Sequence, residues 1–202
     1  GLSKVVSFGN KADLNEVDFL RAFAGDPETN VVAAYLESIT EGNRFLEAAE
    51  EIASIKPVVV LKVGVTQAGA KAASSHTGSL AGADMAYWAA FKRSGVIRAE
   101  NFEALFDYAL AFASQPLPKG NRLAIVTNAG GPGIIATDMT MSAGLELARF
   151  NPDTIEALAS HLPSTANIHN PVDVIGDAPY DRYEKALSAV ISDENVDGAL
   201  VI

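Results

Sequence analysis

The sequence contains no cysteine, which excludes disulfide bonds, thiolate nucleophiles and cysteine metal ligands. It also has only three histidines in 202 residues. His76, His161 and His169 lack the spacing of zinc ligands, so no metal site is predicted for this chain. The absence of cysteine fits a protein of a reducing compartment.

Basic residues are in the minority, and long apolar runs are absent. The 15 Lys and Arg against 25 Asp and Glu give a net charge of −10. A chain of this charge repels nucleic acid and anionic membranes at long range, so neither is predicted as a partner. No run approaches the roughly 20 apolar residues of a membrane helix, and residues 1–4 lack the layout of a signal peptide. We therefore expect a cytoplasmic protein.

What the sequence does have is a regular alternation of short β-branched runs and longer segments of helical period. This alternation is typical of parallel strands joined by helices, so the predicted fold class is α/β. The hydrophobic content of 49% suffices for one large or two small cores. In the first half we predict strands over 4–8, 30–36, 57–63 and 96–98, and helices over 15–24, 43–55, 80–93 and 102–114.

Residues 115–121 contain two prolines, a glycine and polar side chains, and form the best linker in the chain. We place the domains at 1–117 and 118–202. The second has predicted strands over 122–127, 145–150 and 197–202, a helix over 133–142, and a helix that begins at Pro152 with Asn151 as N-cap. The last strand has no following helix to cover it, so we expect this domain to be C-terminally incomplete and the chain to be part of a longer polypeptide.

A segment rich in Gly, Ala, Ser and Thr at 64–79 contains His76, which lies among hydroxyls and glycines just before a predicted helix. Small residues let backbone amides approach a ligand, and the unpaired amides of a helix N-terminus favour an anion. A neutral imidazole can also attack phosphorus. The motif therefore predicts a phosphate site with His76 as phosphoryl acceptor. The alternative is a capped helix start whose histidine makes only a local hydrogen bond.

A second glycine-rich turn at 127–136 follows a predicted strand and opens a predicted helix, the context of an anion-binding loop. It lacks the Lys-Ser/Thr ending of the nucleotide P-loop and the acid that follows a dinucleotide fingerprint. A tight strand-to-helix turn is the alternative interpretation.

Acidic and histidine side chains outside these motifs carry weaker signals. Glu37 follows the second predicted strand, where open α/β sheets place functional side chains. An exposed loop acid is the alternative for Glu37 and for Asp173. We give no catalytic role to His161, near a helix end, or to His169, in a loop beside Pro171.

Three motifs together resemble the ADP-forming acetyl-CoA synthetases, relatives of succinyl-CoA ligase. They are Ser-His-Thr-Gly-Ser-Leu-Ala-Gly at 75–82, Asn-Ala-Gly-Gly-Pro-Gly at 128–133 and Asn-Pro-Val-Asp at 170–173. The resemblance covers essentially the whole chain and implies two flavodoxin-like domains, a phosphohistidine at His76, Glu37 holding its imidazole, and two helix N-termini that face the phosphate. The implied phosphate-binding residues are Thr77, Gly78, Ser79, Asn128, Ala129, Gly130, Gly131 and Gly133.

The resemblance further implies a reversible reaction in which acyl-CoA, phosphate and ADP give acid, CoA and ATP. Phosphate and acyl phosphate are the expected ligands. This chain alone is expected to hold no cofactor, while CoA-binding and ATP-grasp domains, in the same or another chain, would supply the sites for CoA, ADP or ATP, and Mg²⁺. An oligomer is also expected.

Two other functions stay open at this stage. One is a non-catalytic, ligase-like regulatory module of a protein acetyltransferase, against which the presence of both His76 and Glu37 speaks. The other is a subunit-interface domain whose glycine turns are only structural.

Overall fold

The computed structural model describes residues 1–66 and 84–202. The chain divides into two compact units, Gly1–Pro116 and Leu117–Ile202. Each unit contains a sheet whose named strands are parallel, together with helices, which confirms the predicted α/β class. Across 1–66 and 84–202, no helix combines the length and apolar character needed to cross a membrane.

The first unit has a three-stranded parallel sheet in the order β1-β2-β3. The central strand β2 is buried along its whole length, as its run of valine and leucine requires in a parallel sheet. The elements are α1 (Glu16–Ala24), β1 (Val32–Leu36), α2 (Gly42–Ala53), β2 (Val58–Lys62), α3 (Asp84–Ser94), β3 (Ile97–Ala99) and α4 (Phe102–Ser114).

The strand register of the first unit brings functional positions to one edge of the sheet. Leu36 at the end of β1 lies opposite Lys62 at the end of β2. Glu37, the next residue after β1, therefore lies at the carboxyl edge beside the end of β2. Phe45 of α2 and Phe91 of α3 are fully buried among the core side chains, with ring centroids 6.0 Å apart.

The second unit is organised around β4, which pairs in parallel with three strands. The pairing with β7 covers four residues of β4, whereas β5 and β6 each pair over two residues. The elements are β4 (Arg122–Thr127), α5 (Gly130–Ser142), β5 (Glu146–Leu147), α6 (Pro152–His161), β6 (Val172–Asp173), α7 (Tyr180–Ile191) and β7 (Gly198–Val201).

Asn170 takes the place of a strand residue beside β4. Its Oδ1 accepts from the backbone N–H of Ile125 at 2.9 Å, and its Nδ2 donates to the carbonyls of Leu123 at 2.8 Å and Ala148 at 3.0 Å. A side-chain amide can satisfy both a donor and an acceptor of the neighbouring backbone. The first residue of the Asn-Pro-Val-Asp motif therefore links the backbone of β4 to Ala148, the residue that follows β5.

Several predicted elements differ from the structure. The strand predicted over 4–8 is wrong: these residues have no strand partner among the described residues, and Phe8 instead packs against Phe19 of α1 with ring centroids 4.9 Å apart. The strand predicted over 145–150 is only the two residues of β5, because Asn170 occupies part of that edge. Helix α5 begins at Gly130 rather than at residue 133, since Pro132 is compatible with a first helical turn.

Three further differences concern the second unit. Neither β6 nor α7 was predicted from the sequence. Strand β6 has only two residues, which is too short to show a pattern. Asn151 stands at the N-cap of α6 as predicted, but its side chain makes no capping hydrogen bond. Its Nδ2 donates instead to the Asp193 carboxylate at 3.1 Å.

Candidate functional site

The predicted site residues fall into three groups in the structure. Glu37 is half-buried at the carboxyl edge of the first sheet, directly after β1, where the sequence predicted it. His76, Thr77, Gly78 and Ser79 lie outside the described residues. The remaining residues, from Asn128 to Gly133, form the turn between β4 and α5 and the first turn of α5.

The backbone around Glu37 is fixed from two sides by charged side chains. On one side, the Lys62 ammonium donates to the Glu37 carbonyl oxygen at 2.7 Å. On the other, the Lys11 ammonium donates to the Ser38 carbonyl, and the Glu16 carboxylate accepts from the Thr40 N–H at 2.9 Å. The segment that carries the Glu37 carboxylate is therefore held by side-chain bonds immediately before and after it, in addition to the strand pairing of β1.

Lys11 and Glu16 form an ion pair of 2.8 Å whose side chains are 14% and 3% exposed. A buried carboxylate is tolerated when a cation and a backbone donor satisfy it. Glu16 has both, since it contacts Lys11 Nζ and the Thr40 N–H. This pair could not be predicted from the sequence, because it depends on how residues 10–16 fold back onto the loop that follows β1.

Lys62 is a further residue of this edge that was not predicted from the sequence. It is 3% exposed although it ends the most apolar strand of the unit. Burial lowers the pKa of Lys62, and the charge of Arg98 on the neighbouring strand lowers it further. Arg98 itself pairs with Asp84 at 2.6 Å. The signal that could have identified Lys62 is the single charged residue within an otherwise apolar buried run.

In the second unit, the start of α5 has the features of an anion-binding helix terminus. Ala129 occupies the N-cap position, and among the described residues no side chain makes a capping hydrogen bond there. The first amides of a helix have no partner within the helix, so Gly130 and Gly131 present N–H groups at its positive end. Both glycines are exposed, and a Cβ on either would meet no described atom within 4 Å. The turn is therefore open to a ligand.

Gly133 has a different role from the two exposed glycines. A Cβ at Gly133 would lie 3.1 Å from Thr127 Cγ2 and 3.9 Å from Pro171 Cβ. The glycine therefore permits close packing of α5 on β4. Thr127 holds the preceding turn in addition, since its Oγ1 accepts from the Ala129 N–H at 3.1 Å.

Asp173 and the two described histidines make local hydrogen bonds. The Asp173 carboxylate accepts from the Ile175 N–H at 2.8 Å within its own turn. His161 is the last residue of α6, and its Nδ1 lies 2.7 Å from the Ala157 carbonyl oxygen. His169 is exposed in a loop, where its N–H donates to Asn167 Oδ1 at 3.2 Å. Asp173 is thus the last residue of β6, His161 is the last residue of α6, and His169 lies in a loop.

Comparison with known families decides the assignment of the chain. Residues 1–112 match the succinyl-CoA ligase like flavodoxin domain, and residues 123–202 match the ligase-CoA domain. The chain belongs to the succinyl-CoA ligase superfamily. Its relatives include ADP-forming acetate–CoA ligases, which agrees with the resemblance of its three motifs.

Two curated relatives and one solved structure illustrate the relation. ADP-forming acetate–CoA ligase I of Archaeoglobus fulgidus is 50% identical over all 202 residues, which are 29% of that protein. ADP-forming 4-hydroxybutyrate–CoA ligase of Nitrosopumilus maritimus is 44% identical over 198 residues, which cover 97% of this chain and 28% of that protein.

The solved structure is the dinucleotide-forming acetyl-coenzyme A synthetase 1 of Ca. Korarchaeum cryptofilum in complex with phosphate and ADP. It has a TM-score of 0.90 and 40% identity, and the match covers 97% of this chain and 43% of that one. The flavodoxin-like ligase fold is thereby confirmed. The chain spans less than half the length of each of these three proteins.

Proposed function

We propose that this chain is the phosphoryl-transfer core of an ADP-forming acid–CoA ligase, which converts acyl-CoA, phosphate and ADP into acid, CoA and ATP in a reversible reaction. The observation that carries the proposal is 50% identity over the entire chain with an ADP-forming acetate–CoA ligase. The phosphate and ADP in the complex of the solved relative support these two ligands. The acid is left open, because relatives of similar identity are named for acetate and for 4-hydroxybutyrate.

In the proposed reaction, phosphate first displaces CoA from acyl-CoA and gives an acyl phosphate. A ring nitrogen of neutral His76 then attacks the phosphorus, so that an N–P bond forms, the P–O bond to the acyl group breaks, and the acid leaves as its carboxylate. ADP takes the phosphoryl group from His76 in the last step. Glu37 would accept a hydrogen bond from the other ring nitrogen, which fixes the tautomer and stabilises the positive charge that develops on the ring.

The proposed phosphate ligands are backbone amides and small polar side chains. In the second unit they are Gly130 and Gly131 at the start of α5, with Asn128 and Ala129 in the turn before it. The open, uncapped helix start supports this role, since a helix terminus carries roughly half a positive charge toward an anion. Gly133 is buried beneath this turn and would serve it by close packing. Thr77, Gly78 and Ser79 are proposed for the segment that contains His76.

CoA, the nucleotide and Mg²⁺ are proposed ligands of the complete enzyme rather than of this chain. In 1–66 and 84–202, no group of three or more histidine, cysteine or acidic side chains is arranged to hold a metal ion. Mg²⁺ would bind with the nucleotide in an ATP-grasp domain of the complete enzyme.

The test is phosphorylation of the complete ligase. Incubation with ATP labelled at the γ-phosphate is expected to leave a label that is labile in acid and stable in base, as a phosphoramidate requires. His76→Ala is expected to abolish the label. His161→Ala and His169→Ala are matched controls, because both histidines are exposed and make only local bonds, and both variants should label as wild type does.

Two results would contradict the proposal. One is a His76→Ala variant that labels as strongly as wild type. The other is a wild-type enzyme that binds acyl-CoA without any label, which would favour the regulatory module of a protein acetyltransferase instead.

A further inference from the structure

Lys62 is a buried cation without an obvious structural need. It ends β2 with 3% of its surface exposed, directly after the fully buried residues Val58 to Leu61. Moving an ammonium group out of water is costly unless its protons are well satisfied, whereas an apolar side chain of similar length would fill the same space without that cost. A lysine at this position therefore indicates that the positive charge or the N–H donors of its side chain have a role.

The contacts of Lys62 within the described residues all lie at the carboxyl edge of the first sheet. Its ammonium donates to the carbonyl oxygen of Glu37 at 2.7 Å and to that of Val63, and it lies 4.4 Å from the centre of the Tyr87 ring. Two carbonyls and an aromatic face can satisfy a buried ammonium group without a directly bonded carboxylate. The bond to Glu37 connects the end of β2 to the residue that follows β1.

We propose that Lys62 is a positioning residue for Glu37, because its ammonium fixes the backbone from which the Glu37 carboxylate projects. The inference rests on the proposed function, in which Glu37 orients His76. The Val63 N–H donates to the Leu36 carbonyl at 3.1 Å, which among the described residues is the last hydrogen bond between the backbones at this end of β1 and β2. The Lys62 ammonium extends this connection by one residue, because it binds the carbonyl of Glu37.

Charges of both signs surround the Lys62 ammonium. Burial lowers the pKa of Lys62, the cations Arg98 and Lys11 lower it further, and the carboxylates Asp84 and Glu37 oppose that lowering.

Lys56 provides a matched control on the same sheet. Its ammonium also donates to two backbone carbonyls, those of Phe23 at 2.9 Å and Asp26 at 2.8 Å, but Lys56 lies before the start of β2, whereas Lys62 is its last residue. Lys56→Met therefore removes the same kind of contact at the opposite end of the strand.

The experiment is a double-mutant cycle on the complete ligase, with the initial rate of histidine phosphorylation by labelled ATP as the readout. Glu37→Gln is expected to slow labelling at least tenfold, and Lys62→Met to slow it to a similar extent. If Lys62 acts through Glu37, the double variant should be within about twofold of Glu37→Gln alone. Lys56→Met should remain within about twofold of wild type. The folded fraction of each variant is measured by circular dichroism before rates are compared.

The possible failures are distinguishable. If Glu37→Gln labels at the wild-type rate, the proposed role of Glu37 in the ligase is wrong. If Glu37→Gln is slow but Lys62→Met is not, or if the two losses multiply in the double variant, the inference about Lys62 is overturned while the proposed function stands.

Should Lys62→Met fail to fold, Lys62→Arg replaces it in the same cycle, because a planar guanidinium keeps the charge but not the geometry of the ammonium. Lys62→Arg is expected to slow labelling of the histidine in the wild-type background but to cause no further slowing when Glu37→Gln is also present. A wild-type rate for Lys62→Arg, or slowing that persists in that background, would overturn the inference.

Discussion

Gly133→Ala tests how the glycine-rich turn is built. The added Cβ would lie 3.1 Å from Thr127 Cγ2, closer than ordinary van der Waals contact. Thr127 is 1% exposed, and rotating its side chain away would break the bond between its Oγ1 and the Ala129 N–H. The methyl group therefore has no free direction in which to move, and we expect α5 to shift away from β4.

The magnitude follows from opposing effects. Overpacking a filled site costs about 1–3 kcal/mol. If the Thr127 side chain instead rotates away from the new methyl group, the loss of its hydrogen bond with Ala129 would cost about 1 kcal/mol. In the opposite direction, replacing glycine by alanine within a helix stabilises the helix by at most about 1 kcal/mol. With the full gain subtracted, the expected net loss in the free energy of unfolding of the second unit is about 0–2 kcal/mol, and the loss relative to an exposed helical glycine that gains the same alanine preference is about 1–3 kcal/mol.

Native-state hydrogen exchange of the β4 amides measures this loss, because a decrease of about 1.4 kcal/mol in opening free energy speeds exchange tenfold. Gly131→Ala is the matched control, since its Cβ meets no described atom within 4 Å and it should not be destabilising. Thr127→Ser removes Cγ2 but keeps the hydroxyl, so adding it to Gly133→Ala should recover about 0.5 kcal/mol or more. Equal exchange in the two glycine variants, or no recovery with Thr127→Ser, would refute the packing argument.

Two further predictions concern the second unit. Asn170→Ala removes three hydrogen bonds to the backbone of Leu123, Ile125 and Ala148 and should destabilise the unit by about 2–4 kcal/mol in chemical denaturation; an unchanged midpoint would contradict the role of Asn170. Hydrogen bonds from Arg122 lower the pKa of Asp197 from 3.8 to about 2, so the pair stabilises the fold fully above pH 3.8 and progressively less as pH falls toward 2. The difference in unfolding temperature between wild type and Arg122→Met should therefore narrow over this interval, and a constant difference would argue against the pair.

Elements with a local signal were predicted well from the sequence. Helix α4 has the predicted bounds because Asn101 caps it, with its Oδ1 accepting from the Ala104 N–H at 2.8 Å, and because Gln115 and Pro116 follow it. Strand β4 also has its predicted bounds, since an apolar run lies between a linker and a glycine turn. Such signals are contained within a few neighbouring residues.

Elements that depend on distant partners were predicted less well. Residues 4–8 contain the β-branched pair of a strand, Val5 and Val6, but a strand also requires a neighbour with free backbone groups, and pairing is not visible in a local pattern. Strand β6 is two residues long and is defined by its partner β4 rather than by its own sequence.

The same distinction applies to the candidate site. Glu37 could be located from the rule that functional side chains follow parallel strands. The contacts that hold it could not, because Lys62 reaches it through the register of β1 and β2, and Lys11 reaches Ser38 from 27 residues earlier in the chain. The role of Gly133 likewise depends on the approach of α5 to Thr127.

The most direct test of the central claim is a chase of the isolated phosphoenzyme. The complete ligase is labelled with ATP, freed of nucleotide, and mixed with unlabelled ADP while the label on the peptide that contains His76 is followed by mass spectrometry and scintillation counting. We predict that the label leaves His76 within the time of one turnover and appears in ATP. A label that persists on His76 while the enzyme continues to turn over would show that the histidine is not on the reaction path.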